Sequence, residues 1–328
     1  MMVPNRVKEE IMIEKITVQD NLAFVFPGQG SQTVAMLNDF ADHAIVRETF
    51  TEASTALGYD LWALIALGPV EKLNQTNYTQ PALLTASVAL WRLWQSEATI
   101  MPTLMAGHSL GEYSALVCAG VFSLSQGVKL VEKRGEFMQA SVPAGIGAMA
   151  AVIGLEDKII IEACLQAQAD EVVAAVNFNS PGQVVIAGHK DAVARAGLLC
   201  KEAGAKRVLP LPVSVPSHCA LMSEAADKLA IELNNIEFNL PTINVVNNVD
   251  VSIERSDEAI KSALIKQLYS PVRWSETVTL LSESGVTAMV EMGPGKVLQG
   301  LAKRINKSIT CISINDKVSL LKAKELIE

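Results

Sequence analysis

The sequence predicts an α/β protein: a parallel sheet covered by helices on both faces, with a small βαββαβ unit inserted into it. Three observations lead there. Apolar runs without alternation end in Gly- or Pro-rich turns, which is how strands buried on both faces read. Helical patterns separate those runs. Over residues 143–212 the order changes to strand, helix, two strands, helix, strand. Composition agrees. Half of the 328 residues are hydrophobic and 19% are charged, so a large core can be buried. Aromatics are only 5%, while Ala, Gly and Val abound, and small side chains suit helices packed closely on a sheet.

The first strand is 22–26, Leu-Ala-Phe-Val-Phe, stopped by Pro27-Gly28-Gln29-Gly30. Helical patterns follow at 44–57, 61–67 and 82–96. A second buried strand, 103–106, runs into Gly107-His108-Ser109-Leu110-Gly111 and a helix from about 112, with another helix at 125–140. After Pro143-Ala144-Gly145 come strand 148–153, helix 157–169, strands 172–176 and 183–187, helix 191–203 and strand 207–213. That βαββαβ order is the ferredoxin-like pattern. The larger unit resumes with a helix after His218, strands 243–246 and 286–291, and a final helix at 297–304. The expected division is an N-terminal extension (1–20), a discontinuous large domain (21–142 and 213–318) and a small one (143–212). The extension has no place in this pattern, and Met12 offers an alternative start.

The net charge is −8 and the pI about 5.2, so no basic surface dominates and nucleic-acid binding is not expected. The N-terminus mixes Arg6, Lys8 and Lys15 with acids and lacks a signal peptide's apolar segment. No stretch approaches the ~18–20 apolar residues of a membrane span. A cytoplasmic protein is expected, in which the sequons at Asn74, Asn77 and Asn306 carry no sugar. The five cysteines form no C-x-x-C pair, which disfavours a zinc site or a disulfide framework. Cys219 follows His218 and invites a thiol reading, but a better nucleophile exists.

That nucleophile is Ser109, in G-x-S-x-G between a predicted strand and a predicted helix. A sharp strand-to-helix turn lifts the serine oxygen out of the sheet edge, and the flanking glycines relieve crowding around it. The Leu110 N–H then points at a developing oxyanion. A chance Gly/Ser turn is the plain alternative. A serine needs a base, and there are four histidines. His43 lies in a polar helical stretch, His108 is inside the turn, and His189 follows a strand of the insert. His218 lies in the irregular segment 213–218 beside Pro216, where rigid loops favour catalytic groups. By elimination it is the base. No acidic partner stands out, which leaves a backbone carbonyl as its orienter.

Arg134 lies in a helix where Leu124, Val128, Val131, Gly135 and Met138 share one face at 100° per residue. Lys129, Glu132, Lys133 and Glu136 occupy the other, and Arg134 borders the apolar face. It is either a snorkelling side chain or a partly buried guanidinium for a planar anion, whose fork matches a carboxylate. The turn at 27–30 is neither G-x-G-x-x-G nor a Walker loop, and Gly293-Pro294-Gly295-Lys296 fails the Walker pattern too. Gln29 more naturally supplies a second oxyanion donor.

Taken together, several motifs resemble the malonyl-CoA:acyl carrier protein transacylase family of dissociated fatty-acid synthesis. They are Phe-Pro-Gly-Gln-Gly-Ser-Gln (26–32), Thr-Gln-Pro-Ala-Leu (79–83), Gly-His-Ser-Leu-Gly-Glu (107–112) and Arg-Gly-Glu-Phe-Met (134–138). Asn-Phe-Asn-Ser-Pro-Gly-Gln (177–183), Pro-Ser-His (216–218) and Gly-Pro-Gly-Lys (293–296) continue the series. The resemblance implies an α/β-hydrolase-like core with a ferredoxin-like insert. It implies that Ser109 is acylated, His218 is its base, Arg134 holds a malonyl carboxylate, and the Gln29 and Leu110 amides form the oxyanion hole. It places the carbonyl that orients His218 in 270–274, around Arg273, where close relatives often carry Gln.

The implied reaction moves malonyl from malonyl-CoA to the phosphopantetheine thiol of acyl carrier protein through a malonyl-serine. No permanent cofactor or metal is expected, and a monomer is. The acidic carrier would meet Lys206, Arg207, Lys303 and Arg304, whose plain alternative is solvated surface. Three rivals stand beside this: an acyltransferase serving a polyketide synthase, a serine esterase with no use for Arg134, and a non-catalytic carrier-binding subunit.

Overall fold

The computed structural model describes residues 17–213 and 215–327. In chain order, β1 (Thr17–Phe26) leads through α1 (Ala44–Leu57), α2 (Leu61–Leu67) and α3 (Val70–Leu73) to the long helix α4 (Thr76–Glu97). Next come β2 (Ile100–Gly107), α5 (Leu110–Cys118) and α6 (Leu124–Ser141). A second group contains β3 (Gly147–Ile153), α7 (Asp157–Ala167), β4 (Val173–Ser180), β5 (Gln183–His189), α8 (Lys190–Glu202) and β6 (Arg207–Pro210). The chain continues through α9 (Ser223–Asn234), β7 (Asn244–Val246), α10 (Asp257–Gln267) and α11 (Trp274–Glu283). It ends with β8 (Ala288–Met292), α12 (Val297–Ile305), β9 (Thr310–Ile314) and α13 (Lys317–Ile327).

β1 is the middle of a five-stranded parallel sheet of order β7-β2-β1-β8-β9. Its apolar run is fully buried because the two faces belong to different cores. Leu22, Phe24 and Phe26 face α4, α5 and α6. Phe24 meets Trp91 and Trp94 of α4 edge-on, with centroids 5.7 and 5.3 Å apart. Ala23 and Val25 face Val278 and Leu281 of α11 and Leu298 and Leu301 of α12. This two-sided burial is why the strand shows no polar alternation.

The second sheet is antiparallel, of order β4-β5-β3-β6. One face forms its own core with α7 and α8, including Val152, Ile160, Val184, Ile186 and Ala196. The opposite face presents Met149, Val185 and Ala187 toward Cys219. Backbone bonds tie β4 of this sheet to the segment that leads into α11. Phe178 N–H donates to the Val272 carbonyl, and Val272 N–H to the Val176 carbonyl, each at 2.9 Å.

Several elements depart from the sequence expectation. β1 starts at Thr17, so residues 17–20 are strand, paired with β2, with a register irregularity before Ala23. Residues 1–16 of the expected extension lie outside the described residues. α4 starts at Thr76 and carries Pro81 in its second turn, where the missing N–H removes one helical bond. Beyond residue 304 the structure adds β9 on β8, and α13, which buries Leu320, Ala323 and Ile327 against the large core.

Candidate active site

Only two residues separate β2 from α5, so the chain reverses sharply at Ser109, with φ 53° and ψ −109°. Side-chain-bearing residues seldom adopt that conformation. The flanking glycines are a steric requirement. A Cβ on Gly107 would lie 1.8 Å from the Gly111 carbonyl carbon, and one on Gly111 2.0 Å from the Phe26 carbonyl oxygen. Asn248, after β7, brackets the turn: its Oδ1 accepts from Ser109 N–H at 2.7 Å, and its Nδ2 donates to the Gly107 carbonyl at 2.6 Å.

The turn delivers Ser109 Oγ to 2.7 Å from His218 Nε2. His218 is 4% exposed, and its Nδ1 lies 2.7 Å from the Gln267 carbonyl oxygen. A carbonyl only accepts, so Nδ1 carries the proton and Nε2 presents a lone pair to the hydroxyl. Burial, and then the Arg134 charge, push the imidazole down to about 3. It is therefore neutral and able to accept a proton at ordinary pH.

Arg134 settles the sequence alternative in favour of burial, at 1% exposed. Gly135 makes that possible: a Cβ there would come 2.6 Å from Asn77 Cα, so α6 can lie directly against the start of α4. Arg134 Nη1 donates to Gln80 Oε1 and Nη2 to Gln267 Oε1, both at 3.0 Å. Nη2 also stands 3.5 Å from Ser109 Oγ, and the guanidinium carbon lies 5.2 Å from the Tyr113 ring centroid. Among the described residues no carboxylate pairs with it, and its Nε has no partner. The cation is held by neutral amides, so a planar anion entering the cavity would be its first ionic partner.

These groups open onto a cavity of about 470 Å³ between the two sheets. Gln29 and Leu110 line it, beside Met138, Met149, Val185 and Leu298. The Gln29 side chain is tied to Thr76 Oγ1 at 3.4 Å. Neither the Gln29 nor the Leu110 N–H donates to a protein group among the described residues, which leaves both free for an oxyanion.

One expectation is corrected. Arg273 does not orient His218. Its carbonyl accepts from Thr277 N–H and Oγ1 at 2.9 and 3.0 Å, and its guanidinium binds Glu276 and the Val249 carbonyl. The orienting carbonyl is six residues earlier, at Gln267, because α10 ends there and its last carbonyls need partners outside the helix. A Ser270 backbone hydrogen bond to His218 keeps the expected segment beside the imidazole, and Val272 of the same segment ties β4 to the start of α11.

The other candidates are placed elsewhere. His108 points away from Ser109, with Nε2 2.8 Å from Asn179 Oδ1 and its ring against Trp274. His43 packs on Phe40, and His189 Nδ1 accepts from Val172 N–H at 2.9 Å. Cys219 is buried, donates to the Pro216 carbonyl, and its thiol is pushed up to about 11 by burial. No group of three His, Cys, Asp or Glu side chains among the described residues is arranged for a metal. Gln80, Asn248, Gln267 and Glu112 escape sequence reasoning as site residues. Gln80 and Glu112 lie inside quoted motifs, whereas Asn248 and Gln267 carry no local signal.

Of the four basic candidates, Arg304 touches a residue that lines the cavity, and Lys206 and Arg207 lie one strand away from it. Ile153 pairs with Gln183 on one side and Arg207 on the other, and Lys206 N–H donates to the Ile153 carbonyl. Gln183 lines the cavity and accepts from Arg304, next to Lys303 on α12.

A serine on a strand-to-helix turn with an imidazole on its oxygen is the geometry of a serine acyl-transfer site, and the comparisons give the class. Residues 23–323 match the acyl transferase domain family, so the protein is an acyltransferase. The chain is 63% identical over 305 residues to the malonyl CoA-acyl carrier protein transacylase of Escherichia coli (strain K12), covering 93% of this chain and 99% of that one. A crystal structure of an acyl carrier protein S-malonyltransferase from Vibrio cholerae is 64% identical with a TM-score of 0.91, covering 92% and 99%. A malonyl-transacylase solved in complex with a type II polyketide acyl-carrier protein is 59% identical with a TM-score of 0.92, covering 93% and 99%. At this identity and coverage the chain belongs to the malonyl CoA-acyl carrier protein transacylase family.

Proposed function

We propose that the protein moves a malonyl group from malonyl-CoA to the phosphopantetheine thiol of acyl carrier protein, in two steps, for fatty-acid elongation. His218 Nε2 takes the Ser109 proton and Oγ attacks the thioester carbonyl. The Gln29 and Leu110 amides hold the oxyanion, worth roughly 3–4 kcal/mol per donor in such sites. The C–S bond breaks and CoA leaves as a thiol with the proton from His218. The carrier thiol then gives its proton to His218 and attacks the malonyl-serine ester, and Ser109 recovers its proton. Arg134 pairs with the free malonyl carboxylate throughout. The apolar lining at Met138, Met149 and Leu298 limits water that would hydrolyse the ester.

The observation that carries this reading is the position of Ser109 Oγ, 2.7 Å from His218 Nε2 and 3.5 Å from Arg134 Nη2. The fold is read as an α/β-hydrolase-like core over 21–142 and 213–318, continued by α13. A ferredoxin-like insert over 143–212 interrupts it, supported by its strand order and separate core. The working form is read as a cytoplasmic monomer without a resident cofactor. Among the described residues no helix is long and apolar enough to cross a membrane.

The test is transfer of radiolabelled malonyl from malonyl-CoA to purified carrier protein. Labelled carrier is expected; release of free malonate without carrier labelling would favour a hydrolase. The solved polyketide complex favours one second reading, a polyketide carrier as acceptor with the same chemistry. Comparing KM for the two carriers decides between them.

A further inference from the structure

We propose that Glu112 is a positioning residue whose buried carboxylate clamps Asn248 and Gln267, the two residues that hold Ser109, His218 and Arg134 in register. This rests on the transferase reading above. Glu112 lies in the first turn of α5 and is 2% exposed. One oxygen, Oε2, accepts the Asn248 N–H at 3.0 Å and Gln267 Nε2 at 2.8 Å. Both partners reach the reacting groups. Asn248 brackets the strained turn through Ser109 N–H and the Gly107 carbonyl. Gln267 donates to the Ser109 carbonyl at 3.1 Å, accepts from Arg134 at 3.0 Å, and lends its own carbonyl to His218 Nδ1 at 2.7 Å.

Burying a carboxylate with no cation in contact is costly, and burial pushes Glu112 up to about 7. Its use is orientation. The Gln267 amide stands between the Arg134 guanidinium and the Glu112 carboxyl group, with its oxygen accepting from the first and its NH₂ donating to the second. Without an acceptor at 112, two buried N–H groups are orphaned and the amide is free to turn. The strained Ser109 conformation persists only while its surroundings over-determine it, and a shift of about 1 Å costs roughly 10²-fold in rate.

The test is single-turnover acylation of Ser109 by malonyl-CoA, which separates rate constant from amplitude. Glu112→Ala is expected to lower the rate constant about 10²-fold, with half-saturation nearly unchanged and close to one acyl group per enzyme. Glu112→Gln, whose amide oxygen accepts the same two N–H groups, is expected to recover about tenfold of that loss. A wild-type rate constant in the alanine variant, a loss of amplitude alone, or a glutamine variant as slow as alanine each overturns the proposal. Should the alanine variant not fold, Glu112→Asp decides: withdrawn by one methylene, it must slow acylation about tenfold, and a wild-type rate overturns the clamp. Absence of label on wild-type Ser109 would instead sink the transferase reading.

Discussion

Ser109 Oγ and His218 Nε2 stand 2.7 Å apart although they are 109 positions apart in the chain. The contact forms because a strained turn lifts the hydroxyl from the parallel sheet while a backbone carbonyl at the end of α10 fixes the imidazole tautomer. Replacing His218 with Ala removes the proton acceptor and leaves Gln267 and the oxyanion donors in place. The acylation rate should fall about 10²–10⁴-fold, measured by stopped flow with malonyl-CoA. A loss under about threefold would remove His218 from the reaction.

Among the described residues Arg134 has two amide partners and no acid. Arg134→Ala should therefore remove the selective pull on a carboxylated acyl group, costing about 2–5 kcal/mol of malonyl binding. The check is kcat/KM for malonyl-CoA against acetyl-CoA. Their ratio should collapse, and an unchanged ratio would reduce Arg134 to a packing role.

The same substitution has a pH signature. His218 works as a base when neutral, and its lowered value keeps it neutral well below the ordinary 6.5. Burial and the Arg134 charge lower it, so Arg134→Ala removes one of the two leading causes and lets the imidazole rise. Protonation then begins at higher pH, and the acid limb of kcat/KM for acetyl-CoA should move upward. A limb unmoved between wild type and variant contradicts this coupling.

Gly135 lets α6 lie on α4. A methyl group there would meet Asn77 Cα at 2.6 Å and wedge Arg134 away from Gln80. Gly135→Ala should cost about 1–3 kcal/mol in denaturant unfolding and erode malonyl preference together. Lost stability with intact preference would show that the guanidinium does not depend on this packing.

Much of the architecture was legible in the sequence, because burial on both faces leaves apolar runs and because Gly111 reports a close approach by its lack of a side chain. Ser109, His218 and Arg134 followed from scarcity: four histidines, one elbow, one arginine off its charged face. The expected segment 270–274 does reach His218 through Ser270, but the close carbonyl is that of Gln267 rather than Arg273, and a backbone oxygen leaves no residue-type signature to single it out. Asn248 and Gln267 were invisible for a related reason, since their roles arise only where loops from distant parts of the chain meet. β9 and α13 were missed because their short apolar patterns make sense only against β8 and the large core.

Arg207 pairs with Ile153, the neighbour of cavity-lining Gln183, and on the proposed function this makes it a candidate contact for an acidic carrier. Arg207→Glu should raise KM for carrier protein about tenfold at low salt, less at higher ionic strength. KM for malonyl-CoA should stay within about twofold. Parallel rises in both would place Arg207 at the CoA site instead.

The most direct test is rapid quenching of enzyme with malonyl-CoA in the absence of carrier protein, followed by peptide mapping. The malonyl group should be found on the peptide carrying Ser109, in near-stoichiometric amount, and should vanish in Ser109→Ala. Label on another residue, or a Ser109→Ala enzyme that still exchanges malonyl between CoA and carrier, would contradict the account.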